Sequence, residues 1–248
     1  MFRLSPLRLR VFGTCRLRYS YQYVERIAAR LRPQDTAGTL VHNLLCDFFA
    51  KLPRQERTPE RLLEMFQKGW DALSPRYRRI PGVDELRRRS LEQLQRFASQ
   101  QDLQADPFMV EAYLQVRLAP DILLFGRLDR IDEDPDGSLH IIDYKTGAHP
   151  EELDTSQLRL YLIIVEEKLQ RPVSRASFWY LDDDLVWTIQ LTDEEKRRAR
   201  TETLAAASEM RTVSDFPPTI APHCAHCPYL YACRYRNEID CRRLTEGW

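Results

Sequence analysis

An α/β fold on a mixed sheet is what this 248-residue sequence predicts. Three observations carry that prediction. Residues 34 to 105 repeat apolar side chains at helical period, while the following stretch changes to strand-like alternation. Three strand-like runs, "FMVEAYLQVRL", "ILLFGRLDRIDE" and "SLHIIDYKTG", then follow one another with "EDPDG" turn chemistry between the last two. A helical segment, "DTSQLRLYLIIVEEKLQ", separates them from the strand-like "RASFWYLDDDLVWTIQL". The order β-β-β-α-β with helical additions makes an α/β fold on a mixed sheet flanked by helices.

The elements are justified in chain order. Residues 1 to 30 hold an aromatic and basic run, "CRLRYSYQYVERI". Thr58 followed by Pro59 is an N-cap with proline at the first helical position, opening "ERLLEMFQKGWDAL". "VDELRRRSLEQLQRF" is a second amphipathic helix. Asp154 or Thr155 caps the helix between the strands, and Thr192 with Glu195 forms a capping box for "DEEKRRARTETLAAASEM". The tail, 215 to 248, carries prolines and cysteines and reads as irregular.

Composition narrows the function. The chain is long enough for one domain, or one domain with a subdomain. With 37 basic and 37 acidic side chains the formal charge is zero, which argues against a tail-type electrostatic binder but leaves room for a basic groove. The basic set is 32 Arg and 5 Lys; arginine suits phosphate as a planar fork donor, and a GC-rich genome gives the same bias. No apolar run approaches the ~18 residues that cross a bilayer, and Arg3, Arg8 and Arg10 interrupt any secretory signal core. The expected compartment is the cytoplasm, with no membrane association. Disulfides are rare there, so clustered cysteines point to metal or cluster ligation.

The chemistry concentrates in "HIIDYKTG". Side chains alternate along a strand, so Asp143 and Lys145 share one face, and Ile142 and Tyr144 the other. A turn centred near Asp136 places Asp129 opposite Asp143. Two opposed carboxylates repel unless a cation lies between them, and acidic oxygens favour Mg²⁺ or Mn²⁺. Lys145 on the same face can steady an attacking water or a developing phosphate charge. A lone D-x-K is ordinarily a solvated pair; here "GRLDRID" precedes it and "QLRLY" follows. Gln157 and Tyr161, spaced i, i+4, lie on one helix face. His42, in "GTLVHNLLCDFF", is a candidate extra ligand through neutral imidazole, and Glu111 is a weaker one. Cys46 reads as a small buried apolar residue.

"HCAHCPYLYACRYR" holds Cys224, Cys227 and Cys233 in C-x2-C-x5-C spacing. A fourth ligand comes from Cys15, Cys241, His223 or His226, and spacing does not separate zinc from an iron–sulfur cluster.

Taken together, His42, "GRLDRID" with Asp129, "IIDYKTG" with Asp143 and Lys145, and "QLRLY" with Gln157 and Tyr161 resemble the RecB-type branch of the PD-(D/E)XK nucleases. The likeness covers nearly the whole chain; Leu128 stands where a proline is usual. "SPLRLRVFGTCRLRYSYQYV" resembles the segment in which iron–sulfur members place their first cysteine. The resemblance implies a single nuclease domain over 1–248 with a restriction-endonuclease-like sheet core, a helical insertion at 34–105, and segments 1–30 and 215–248 paired as an iron–sulfur clasp. It selects Cys15, Cys224, Cys227 and Cys233 as ligands of a 4Fe–4S cluster. It implies His42, Asp129, Asp143 and the Tyr144 carbonyl as ligands of Mg²⁺ or Mn²⁺, Lys145 as the residue that orients water, and Gln157 and Tyr161 as strand-positioning residues. The tyrosines of "RYSYQY" are then either base-stacking groups or packing around the cluster.

The implied activity is metal-dependent DNA cleavage, most simply by an exonuclease on single-stranded ends, in DNA repair or CRISPR adaptation. A helicase or CRISPR integrase proteins are the implied partners, since the chain carries no P-loop of its own. The competing readings are a non-cleaving nucleic-acid-binding or assembly module with a structural cluster, and a zinc-binding interaction protein; the second leaves the D…D-x-K set unexplained.

Overall fold

The computed structural model describes residues 1–30 and 32–248. Strand β1 (Phe2–Leu4) leads into helices α1 (Pro6–Thr14) and α2 (Arg16–Tyr19), and a π-helical turn continues to Val24. Helices α3 (Pro33–Lys51), α4 (Pro59–Asp71), α5 (Pro75–Arg78) and α6 (Val83–Gln100) follow. The sheet is built from β2 (Met109–Ala119), β3 (Ile122–Glu133), β4 (Leu139–Lys145), β5 (Val173–Tyr180) and β6 (Leu185–Ile189), with α7 (Ser156–Leu169) between β4 and β5. Helices α8 (Asp193–Thr212) and α9 (Arg236–Glu246) close the chain.

The sheet is mixed: β2–β3, β3–β4 and β5–β6 are antiparallel, while β4–β5 and β1–β3 are parallel. The parallel β4–β5 pair requires a crossover, which α7 provides. One face packs Leu139 and Ile141 of β4 against apolar residues of α1, α7 and α8; the other packs Ile142 and Tyr144 against α3, α4 and α6. Strand β4 thus buries apolar residues on both faces, as an interior strand does, and its charged residues Asp143 and Lys145 lie at its C-terminal end.

The caps follow the sequence. Thr58 accepts from Arg61 N, and Thr192 and Glu195 form their reciprocal box. At α7 the first donor is met by Asp154, whose Oδ1 accepts from Ser156 N at 2.9 Å, while Thr155 holds the cap position without a side-chain bond. One expectation changes. The tail is not wholly irregular: after two 3₁₀ turns it forms α9, a polar helix that buries only Ile239 and is laced by Arg242–Glu238 and Arg236–Asp240 pairs. In the aromatic N-terminal run, Tyr19 and Tyr21 take the packing role, one of the two expected of them. Tyr19 is buried in the main core with Phe12 and Phe216, and Tyr21 lies against Tyr229.

Candidate active site

The site begins with a gap in the sheet. One edge of β3 pairs with β2 from Ile122 to Ile131, interrupted at Asp129. The other is shared: β1 pairs with Ile122–Leu124 and β4 with Arg130–Glu133. Residues 125–129 of that edge therefore have no strand partner, and Asp129 stands at the mouth of the opening. The β3–β4 register, Arg130↔Ile142 through Glu133↔Leu139, extrapolates to Asp129 facing Asp143. Asp129 Oδ2 accepts the Tyr144 backbone N–H at 2.9 Å, which fixes the carboxylate against the neighbouring strand.

Both strands of the β2–β3 pair change face at this level. Ala112 and Leu128 pack in the α7-side core, whereas Val110 packs in the α3-side core and Arg130 stacks over Phe49 there. Glu111, across from Asp129, has a left-handed backbone (φ 54°) and interrupts the ladder. Such a conformation in a non-glycine residue costs of order 1–3 kcal/mol and collects at functional sites. Its effect here is to turn the Glu111 carboxylate toward Arg127 and His42.

Strand β4 and helix α7 supply the second half. Lys145 Nζ lies 2.5 Å from Asp143 Oδ2 and donates to Gln157 Oε1 at 3.0 Å. Gln157 Nε2 donates to Asp143 Oδ1 at 2.7 Å and to the Tyr161 hydroxyl at 2.9 Å. That hydroxyl in turn donates to the Arg127 carbonyl at 2.8 Å, one of the groups left free by the gap in β3. The Tyr161 ring fits because residue 126 is glycine: a Cβ there would sit 2.7 Å from Tyr161 Cε1. The i, i+4 pair of α7 thus spans from Asp143 to the free edge of β3.

Charge at the site is strongly perturbed. Burial pushes Asp143 well above the usual carboxylate range and the Asp129 charge adds to this, while Lys145 opposes it. Burial lowers His42, but its hydrogen bond to Asp129 and the charges of Asp129 and Asp143 together outweigh that, and the net direction is upward. His42 comes from α3, whose close approach is permitted by Gly38 beneath Thr146 Oγ1. Its Nε2 is 2.7 Å from Asp129 Oδ1, and its Nδ1 is 3.6 Å from Glu111 Oε1. Cys46, one turn on, is buried with Sγ 3.9 Å from Nδ1, and burial raises its thiol to about 12, so it stays protonated.

Two carboxylate oxygens here, Glu111 Oε1 and Asp143 Oδ2, are buried without a hydrogen-bond donor. Asp143 Oδ2 has the Lys145 ammonium beside it, off the hydrogen-bonding direction. Orphaned anionic oxygens beside an imidazole fit a divalent cation, and Asp129, Asp143 and His42 are the residues that would hold it. Among the described residues, the groups of three donors that already lie within 4.8 Å of one another consist of His42, Cys46 and Glu111 alone; Asp143 is instead turned to Lys145 and Gln157.

Two cavities open on this site. One, about 300 Å³, is lined by Gly126, Lys145, Gln157 and Tyr161; the other, about 810 Å³, by Gly38, His42, Tyr144 and Thr146. Leu7, Arg10 and Arg127 line both. The sequence reading missed Arg10, Gly126 and Gly38. The glycine of "GRLDRID" was a usable signal, since a glycine within a strand marks close approach; Arg10 gave none, because its nearness to the site arises from tertiary folding.

The cysteines form a separate centre. Cys15, Cys224, Cys227 and Cys233 line one cavity with His223 and Arg18. Cys15 caps both helices around it, its N–H donating to Val11 O and its Sγ accepting from Arg18 N. The Thr219 N–H also points to Cys15 Sγ at 3.5 Å. Cys241 is exposed on α9 and outside that cavity. Four thiols converging on one space, two of them buried, fit a multi-thiolate centre.

A family model described as the PD-(D/E)XK nuclease superfamily matches residues 3–234. Among solved structures, one named "Putative exonuclease" from Eubacterium rectale is similar with a TM-score of 0.57 and 11% identity, over 90% of this chain and 87% of that chain. At that identity the likeness shows the fold alone. Another, SSO0001, is 15% identical over 94% of this chain and 86% of its own, with a TM-score of 0.40. No curated protein matches the sequence.

Proposed function

This chain belongs to the PD-(D/E)XK nuclease superfamily, and on that premise we propose that it is a metal-dependent DNA nuclease acting on single-stranded ends. The observation that carries the reading is the hydrogen-bonded chain Lys145–Gln157–Asp143 set across from Asp129 at the unpaired edge of β3. The name of the Eubacterium rectale protein agrees with exonuclease action.

The reaction is hydrolysis: a water oxygen forms a bond to phosphorus, and the ester oxygen leaves and takes up a proton. Asp129, Asp143, His42 and the Tyr144 carbonyl would hold Mg²⁺ or Mn²⁺, which when bound would supply Lewis acidity toward a phosphoryl oxygen. Lys145 donates to Gln157 Oε1 and lies against the Asp143 carboxylate, which together hold its ammonium at the cleft. It orients the water and stabilises charge gathering on the phosphate. Gln157 has its amide oxygen and nitrogen both engaged, so it locks Lys145 and Asp143 in register. Tyr161 holds Gln157 and lines with it the cavity offered to the strand.

A 4Fe–4S cluster on Cys15, Cys224, Cys227 and Cys233 completes the reading, joining segments 1–30 and 215–248 as a clasp around the nuclease core, with 34–105 as a helical insertion. The cluster is structural in this reading; it holds α1 beside the cleft.

The test is degradation of end-labelled single-stranded DNA with Mg²⁺ or Mn²⁺, abolished by EDTA. Asp143→Ala and Lys145→Ala should each lose cleavage by on the order of 10² or more. Undiminished activity in both variants sinks the assignment.

A further inference from the structure

Four arginines line the two cavities at the site: Arg10, Arg32, Arg89 and Arg127. Three are already committed. Arg32 is held by Asp35 at 2.8 Å, Arg89 by Asp182, and Arg127 by Glu111. The remaining cation of the catalytic face, Lys145, is bound to Asp143. Arg10 differs: its side chain makes no hydrogen bond or ion pair among the described residues, and the residue is exposed. Other arginines of the same segment show what a structural role looks like there. Arg8 donates to the Tyr19 hydroxyl and the Arg3 carbonyl and stacks over Phe2, and Arg16 pairs with Glu209.

The position of Arg10 is as specific as its freedom. It lines both cavities together with Leu7, one helical turn earlier on α1. It is near enough to Tyr161 that its charge acts on that hydroxyl, although burial is the larger influence there. The wall opposite, on β3, is the stretch without a strand partner.

We propose that Arg10 is a substrate-binding residue: its guanidinium takes a backbone phosphate of the single strand as that strand passes between α1 and the free edge of β3. This deepens the nuclease reading and rests on it. A phosphodiester presents two unesterified oxygens to a forked donor, and an arginine with no protein acid beside it gives up no ion pair to bind one. Helix α1 ends at Cys15, so the same element that delivers Arg10 is anchored by the thiol centre.

The experiment measures binding of a fluorescent oligothymidylate in EDTA, across a salt series, for wild type, Arg10→Ala and Arg10→Lys. Each phosphate contact on a single strand contributes about 0.7 to the slope of log affinity against log salt. Arg10→Ala should therefore lower the slope by about 0.7 and the affinity by roughly tenfold or more, with melting temperature and cysteine-site metal content unchanged. Arg10→Lys should restore the slope. If wild type binds and Arg10→Ala matches it in slope and affinity, this inference alone falls. If Arg10→Ala melts lower and Arg10→Lys fails to restore the slope, Arg10 is a structural residue and the inference is overturned. If wild type does not bind single-stranded DNA, the nuclease reading falls and takes this inference with it.

Discussion

Gly126→Ala tests the site through a single methyl group. The added Cβ would lie 2.7 Å from Tyr161 Cε1, against the 3.4 Å at which ordinary contact begins, a shortfall of about 0.7 Å. Ile164 Cδ1, at 3.2 Å, leaves little room on the other side. The Tyr161 ring must move by about that amount, and its hydroxyl bonds at 2.8 and 2.9 Å have no slack for it. Overpacking typically costs ~1–3 kcal/mol and each hydrogen bond ~0.5–1.5 kcal/mol, so with both bonds disturbed a destabilisation of about 2–6 kcal/mol is expected. Urea unfolding of Gly126→Ala, Tyr161→Ala and the double variant isolates the contact. In the Tyr161→Ala background only the flexible end of Ile164 remains close to the methyl, and Gly126→Ala should cost less than ~1 kcal/mol. Tyr161→Phe keeps the ring and therefore the clash. Additivity within ~0.5 kcal/mol across the Gly126–Tyr161 cycle would refute the reasoning. Cleavage should fall in Gly126→Ala alongside stability, because Gln157 loses the hydroxyl that orients it.

Two further outcomes are expected. Anaerobically purified protein should be brown with about four irons per chain. Cys15→Ser, Cys224→Ser, Cys227→Ser and Cys233→Ser should each lose colour and destabilise by up to roughly 4–5 kcal/mol on the loop-closure model, while Cys46→Ser and Cys241→Ser keep it; zinc in place of iron, or loss of colour in Cys241→Ser but not Cys15→Ser, overturns the ligand set. His140, whose Nε2 is 2.8 Å from Ser177 Oγ, is lowered to about 4, chiefly by burial and then by Arg175. Below its usual value of 6.5 the unfolded chain binds a proton that the folded chain refuses, so stability drops as pH falls from 6.5 toward 4, by at most about 3 kcal/mol; His140→Gln should flatten that slope in denaturant titrations, and an unchanged slope refutes the assignment.

What could be read in advance follows from how local each signal is. The turn at "EDPDG" set a register about Asp136, and from it the facing of Asp129 and Asp143; the ladder from Glu133↔Leu139 to Arg130↔Ile142 has that register. The i, i+4 spacing of Gln157 and Tyr161 was legible because helical geometry is local. Strand β1 was not: three residues pairing in parallel with Ile122–Leu124 leave no pattern of their own. Nor was the left-handed backbone of Glu111, a residue type that prefers other conformations. Arg10 belongs with these, since the residues of β3, β4 and α7 that share its cavity are more than 110 residues away in sequence.

The front and the tail of the chain complete each other's backbone. Leu17 N–H donates to Pro217 O, Arg30 N–H to Pro228 O, and the Tyr231 hydroxyl to Ala28 O. In folding this places residues 15–30 among the last segments to be satisfied. Contacts closing loops of some two hundred residues form late, after the sheet and its helices. Until the tail arrives, Leu17 and Tyr21 stand without the cover of Tyr229, and the amides around them remain open to proteases. A chain stalled shortly before Pro217 would thus present a largely assembled sheet with an unprotected front segment, the form a quality-control protease would recognise first.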